Sequence, residues 1–144
     1  MSAVARPVLH HLALTVTDVD ISVRWYEDVF GVRFVMDAPH QGGVGKVLAD
    51  DAHQLMIVLH RHDDNDGHLF GETATGLDHA GFFVPTRADL AAWQDHLEAN
   101  GVSRVETANK PLTQSPIADE AYGSVLVFRD PDNIQLELFC SPGA

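Results

Sequence analysis

The chain has 144 residues, 45% of them hydrophobic, enough to fill the core of one ordinary domain or of two small units sharing one. Its formal net charge of −12, with nine scattered Lys and Arg, argues against nucleic acid and anionic lipid, which both attract clustered cations. The longest strongly apolar run, Leu55 to Leu59, is far shorter than the roughly 20 residues that span a bilayer. The N-terminal MSAVARPV lacks the apolar core of a signal peptide, and a single cysteine, Cys140, permits no internal disulfide; both suit a reducing cytoplasmic compartment.

Residues 8–16, VLHHLALTV, alternate as a strand, with Leu12, Leu14 and Val16 on one face and His11, Ala13 and Thr15 on the other. Asp18 is a good N-cap for a helix from about Val19 to Phe30, whose stripe is Val19, Val23, Tyr26 and Phe30, and Gly31 supplies the left-handed C-terminal residue. VRFVM, VGKVLA and QLMIVLHRH then read as three strands divided by Gly and Asp punctuation. The order is βαβββ.

After a polar, glycine-containing stretch the same order returns. LDHAGFFV is a strand headed by His79, and Thr86 with Asp89 has capping-box spacing before a helix that places Leu90, Trp93 and Leu97 on one face. His11 to Trp25 and His79 to Trp93 have the same spacing, so a histidine-headed strand precedes a helical tryptophan in both halves. Both tryptophans are expected in the core. VSRVET, SVLVFRD and IQLELFC complete the second unit, interrupted by a long connection, residues 109–122, that is a candidate lid or pocket wall. The predicted fold class is α+β. One βαβββ module covers residues 8–62, a loop covers 63–76 and a second module covers 77–140, together a curved mixed sheet around a central cleft.

Each helix covers one face of its sheet, so the histidine faces point to the other side. Asp130-Pro131-Asp132-Asn133 is a tight turn joining two strands, and beyond it Glu137 stands alone among Leu136, Leu138 and Phe139. A carboxylate in an apolar strand is costly unless it is paired or bound to a cation. Two histidines and one carboxylate from three strands would satisfy it.

The paired modules, the H-x-x-L-x-V-x-D pattern from His11 to Asp18, the LDHAGFFV start and the F-x-D-P-D-x-x-x-x-E-L ending together resemble the vicinal oxygen chelate superfamily, which holds glyoxalases, bleomycin-resistance proteins and extradiol dioxygenases. The resemblance implies that His11, His79 and Glu137 ligate one divalent metal ion, Fe(II) in first place, with Mn(II), Zn(II) or Ni(II) as alternatives. Members with four protein ligands take the fourth from the last strand of the first module, where this chain has Val58. That departure removes the second carboxylate of a glyoxalase-type proton shuttle. His60 and His62 share the strand face of Val58 and are candidate bases, and Tyr122 is a candidate hydrogen-bond donor to a metal-bound oxygen, in resemblance to extradiol dioxygenases. Arg129 is expected to pair with a surface acid. The function implied is a metal-dependent enzyme on a small organic substrate, of dioxygenase type before glyoxalase-type lyase, acting as a homodimer. A non-catalytic binder of the bleomycin-resistance kind is the alternative.

Overall fold

The computed structural model describes residues 3–144, so Met1 and Ser2, within the stretch read above for a signal peptide, lie outside the described residues. The chain divides into two compact units, Met1–Asp66 and Gly67–Ala144, and the division falls inside the expected loop 63–76.

The first unit is a four-stranded sheet in the order β1-β4-β3-β2, built from β1 (Leu12–Thr15), β2 (Arg33–Asp37), β3 (Gly43–Ala49) and β4 (Met56–His62). β1 is shorter at its start than the alternation suggested, so His11 is the residue immediately before it. Helix α1 (Val19–Phe30) has the expected limits: the Asp18 carboxylate accepts from the backbone N–H groups of Asp20 and Ile21, and Gly31 closes it at φ 71°. Its buried stripe is Val19, Ser22, Trp25, Tyr26 and Val29, while Val23 and Phe30 are only half-buried. Leu14, Leu48, Ile57 and Leu59 are almost wholly removed from water, so one face of the sheet and the α1 stripe form the core of this unit.

The second unit holds β5 (Ala80–Phe83), α2 (Arg87–Ala99), β6 (Ser103–Arg104), β7 (Thr113–Gln114), β8 (Ala118–Glu120), β9 (Gly123–Arg129) and β10 (Gln135–Cys140), with sheet order β5-β10-β9-β7-β6 and β8 beside β9. Thr86 and Asp89 form the expected capping box. Leu126, Phe128, Leu136 and Leu138 on the helix-facing side of the sheet are buried with Leu90 and Leu97 of α2.

Two expectations are corrected here. The connection 109–122 is not a free lid: β7 and β8 within it both pair with β9, and the fully buried Gln114 amide donates to the Gln94 and Val102 carbonyls at 3.0 Å. A buried amide with partners on α2 and at the residue before β6 cannot swing without leaving polar groups unpaired. Trp93 is not core. Residues Leu90 and Leu97 alone are buried on α2, and Trp93 is half-buried, edge-on to His96 at 5.1 Å beside an open groove. The apolar stripe of α2 is narrower than that of α1, which leaves its indole at the rim.

Candidate metal centre

The open face of the second unit carries Glu137. Its register partners are Gly81 on β5 and Val127 on β9, so it projects from the face opposite the buried Leu136 and Leu138. Gly81 has open space where a Cβ would stand, which leaves room beside the carboxylate. His79, the residue before β5, brings Nε2 to 3.5 Å from Glu137 Oε2. On the other edge of the ring, Nδ1 lies 2.7 Å from Asp78 Oδ1. A carboxylate behind one imidazole nitrogen, with the other nitrogen facing a second carboxylate, is the arrangement that orients a metal-binding histidine. A cation between Nε2 and Glu137, either a proton or a divalent ion, satisfies the pair.

The hydrogen bonds continue into the unit. Gln135 Nε2 donates to Asp78 Oδ1 and to the Asp78 carbonyl, both at 3.2 Å, and Arg129 Nη2 donates to Gln135 Oε1 at 3.1 Å. Arg129 is 3% exposed and also holds Glu72 through both carboxylate oxygens, at 3.0 and 3.1 Å. Those bonds keep the Glu72 carboxyl at about 2, well below its ordinary value. Arg129 therefore pairs with an acid, as expected, and the acid lies in the loop preceding β5. The tight turn forms as read: Asn133 takes φ 68°, and Asp130 Oδ1 accepts from the backbone N–H groups of Asp132 and Ile134 at 2.8 Å. Phe70 donates its N–H to the Asp132 carbonyl at 2.8 Å, pinning the same loop to this turn.

The first unit gives a different face. Ala13 pairs with Val58, and Thr15 with His60, so Val58, His60 and His62 share the side away from α1. Val58 is 6% exposed and is plain packing. His60 and His62 lie opposite Gly45 and Gly43 of β3, and the turn residue His40 folds over them, its ring centre 4.9 Å from His60 and 4.8 Å from His62. The glycines are required there. A Cβ on Gly45 would stand 2.6 Å from the Ala38 carbonyl oxygen and 2.8 Å from His60 Cε1, and one on Gly43 would run into the Arg61 carbonyl oxygen and stand 2.5 Å from His40 Cε1. Burial, and then the rings of His40, His62 and His11, push the His60 imidazole below its ordinary pKa. A neutral ring with a free lone pair can accept a proton from a substrate hydroxyl.

The structure thus brings His79 to Glu137 within the second unit and His60 to His62 within the first. His11 lies in the first unit, at the residue before β1, with Nδ1 2.9 Å from Nδ1 of His10. Among the described residues, no group of three or more His, Cys, Asp or Glu side chains is placed to hold a metal ion. Tyr122 is not brought to His79 or Glu137: it is 66% exposed at the turn before β9, and Glu137 pairs with Val127, so at ~3.3 Å per residue the backbones are on the order of 15 Å apart. Sequence reasoning missed Asp78, Gln135 and His40. The Asp-His dipeptide at 78–79 was a signal for the first, and the two glycines opposite alternate histidines were a signal for the last.

Two units on a βαβββ plan, the second with two further short strands, each with a sheet covered on one side by its helix and carrying polar chemistry on the other, define a paired-module α+β protein. The family model of the Glyoxalase/Bleomycin resistance protein/Dioxygenase superfamily matches residues 8–138, and the chain belongs to that superfamily. Among solved structures, a glyoxylase/bleomycin resistance protein/dioxygenase domain from Frankia sp. EAN1pec is 30% identical, with 97% of this chain and 96% of that one covered and a TM-score of 0.82. A glyoxalase family protein from Enterococcus faecalis is 18% identical over 92% of this chain and 96% of its own, with a TM-score of 0.69. A variant of the fosfomycin resistance protein FosX from Listeria monocytogenes, crystallised with Mn(II) and 1S,2S-dihydroxypropylphosphonic acid, is 17% identical over 94% of this chain and 93% of its own, with a TM-score of 0.65. No curated protein matches the sequence.

Proposed function

We propose that the chain is a divalent-metal-dependent enzyme acting on a small organic substrate with neighbouring oxygen atoms, with His11, His79 and Glu137 as the metal ligands. The observation that carries this reading is the pairing of His79 Nε2 with Glu137 while Asp78 holds the opposite ring nitrogen. Both donors suit a divalent ion of the Fe(II), Mn(II), Zn(II) or Ni(II) group, and Fe(II) is favoured for two histidines and one carboxylate with open positions. When bound, the ion supplies Lewis acidity toward the substrate oxygens. The Mn(II) and the diol phosphonate held by the FosX variant are in keeping with such a ligand class.

The residues of this chain have separable roles. His79 and Glu137 offer a lone pair and a carboxylate from the open face of the second sheet. His60, its pKa lowered by burial and by its histidine neighbours, is the base of this proposal, and His62 and His40 surround it. Val58 occupies the position that register makes equivalent to Glu137, because Ala13 pairs with Val58 as Gly81 pairs with Glu137. With a hydrocarbon there, no second carboxylate is available for a two-base shuttle. Dioxygenase chemistry is favoured over glyoxalase-type isomerisation for that reason. Cys140, buried as a free thiol, is in keeping with a reducing cytoplasm, and a homodimer is the proposed assembly.

The test is metal content by mass spectrometry, on protein purified without added metals and again after anaerobic loading with Fe(II). Near one equivalent in the parent, lost in His79→Ala and Glu137→Ala, supports the proposal. A parent that takes up no divalent ion in either condition overturns it and leaves a metal-free small-molecule binder.

A further inference from the structure

We infer that Asp78, Gln135 and Arg129 are positioning residues that set which nitrogen of His79 carries the proton, so that the neutral ring always presents the Nε2 lone pair toward Glu137. The inference rests on the reading of His79 as a ligand, and deepens it.

The direction of every hydrogen bond follows from the one group that can only donate. All five N–H bonds of the Arg129 guanidinium have acceptors: Nε on the Ala108 carbonyl at 2.8 Å, Nη1 on Glu72 Oε2 and the Asn133 carbonyl, and Nη2 on Glu72 Oε1 and Gln135 Oε1. At 3% exposure and fully partnered, this side chain has no alternative arrangement. Gln135 must therefore turn its oxygen toward Arg129, and its NH2 group falls on Asp78, where Nε2 lies 3.2 Å from both Oδ1 and the backbone oxygen. An ionised Asp78 can only accept. The proton in the 2.7 Å contact between Asp78 Oδ1 and His79 Nδ1 consequently belongs to Nδ1. A neutral imidazole holds one ring proton, so Nε2 bears the lone pair, 3.5 Å from Glu137 Oε2.

Gln135 has a specific part in this. The Asp78 side chain is 68% exposed, and a carboxylate so placed would otherwise sample several rotamers in water. One N–H bond from the anchored Gln135 amide to Asp78 Oδ1, with a second to the Asp78 backbone oxygen, keeps it behind His79. Without that partner, a neutral imidazole in water favours the proton on Nε2, the nitrogen that must be bare to bind an ion. The loop residue Glu72 closes the other end of the chain of bonds, so the segment preceding β5 and the turn after β9 hold the same histidine.

The experiment uses the full metal-free chain labelled with 15N, with long-range 1H–15N correlation of the His79 ring at a pH where the ring is neutral, followed by Zn(II) titration against a competing chelator. The parent is expected to show a protonated Nδ1. Asp78→Ala and Gln135→Leu are each expected to move the ring toward the Nε2-protonated form and to weaken Zn(II) binding by roughly 10- to 100-fold, the range seen when outer partners of a metal histidine are removed. Two variants on separate elements guard against one that fails to fold. An Nε2-protonated ring in the parent, or an unchanged tautomer in both folded variants, overturns the inference. A parent with Nδ1 protonated that binds no Zn(II) sustains the tautomer assignment and counts instead against the metal-dependent reading.

Discussion

In the first unit the residue paired with Ala13 is Val58, and in the second the residue paired with Gly81 is Glu137. Two positions further along the same strands, Thr15 faces His60 in one unit and Phe83 faces Phe139 in the other. The scaffold is repeated and the chemistry is not. Where the first unit places a hydrocarbon the second has a carboxylate, and where the first collects imidazoles over two glycines the second has an aromatic ring. Strand pairing fixes only which residues share a face, so side chains on the face away from the helix can diverge without disturbing the core. The roles proposed here, His79 and Glu137 as ligands, His60 as base and His11 from the residue before β1, are a reading of that divergence.

Making the units alike is the sharpest way to break the comparison. Val58→Glu copies Glu137 into a site that is 6% exposed, whereas the Glu137 side chain is 21% exposed. The expected loss is about 3 kcal/mol or more in urea unfolding of the metal-free protein. A loss under about 1 kcal/mol would mean that the two faces are not distinguished by burial.

Gly45→Ala probes the histidine cluster from beneath. Its Cβ would meet the Ala38 carbonyl at 2.6 Å and the His60 ring at 2.8 Å, so a cost of about 1–3 kcal/mol is expected from the same denaturation, with a perturbed His60 signal by NMR. Gly81→Ala, on the second unit, has open space at that point and is expected to be far milder.

His60→Phe gives the first unit the residue that the second carries. The His60 imidazole is held below its ordinary pKa, so its contribution to stability is present above the unfolded value near 6.5 and lost as pH falls through the lower folded value. The variant should therefore lose less stability than the parent between neutral and mildly acidic pH, as read from thermal unfolding across that range. Equal slopes would sink the claim that burial and the neighbouring histidines lower the pKa of this ring.

The smallest effect expected is at Glu72. With its folded carboxyl at about 2 and an ordinary value of 4.5, the Arg129 pairing stabilises fully above 4.5 and is lost as pH falls toward 2. Because the Glu72 side chain is 35% exposed, solvent screening holds the gain to below about 1 kcal/mol. Glu72→Gln should flatten the acid limb of the stability curve by that amount.

Much of this was legible in the amino acids. The repeat of a histidine-headed strand and a capped helix gave both modules, α1 to its terminal residues, the Asp130–Asn133 turn and the equivalence of Val58 with Glu137, because hydrophobic period, capping side chains and turn residues are local signals. The candidates His79 and Glu137 were legible for a related reason: a charged or titratable group in an apolar strand is conspicuous. Residues 109–122 read as a loop because β7 and β8 are only two and three residues long, and their strand character comes from pairing with β9 and not from their own sequence. Trp93 reads as core because an indole is a strong apolar signal, and how much of it a neighbouring sheet covers is decided by packing.

What the sequence by itself determined is therefore the order of elements, their caps and the residues that share each strand face, all properties of short chain segments. The tertiary structure alone decided that Arg129 meets Glu72, that its last free donor turns the Gln135 amide toward Asp78, and that His40 covers His60 and His62. The Arg129–Glu72, Gln135–Asp78 and His40–His60 contacts join residues far apart in the chain, and the sense of the hydrogen bonds among them is imposed by a guanidinium that can only donate, which no local pattern records.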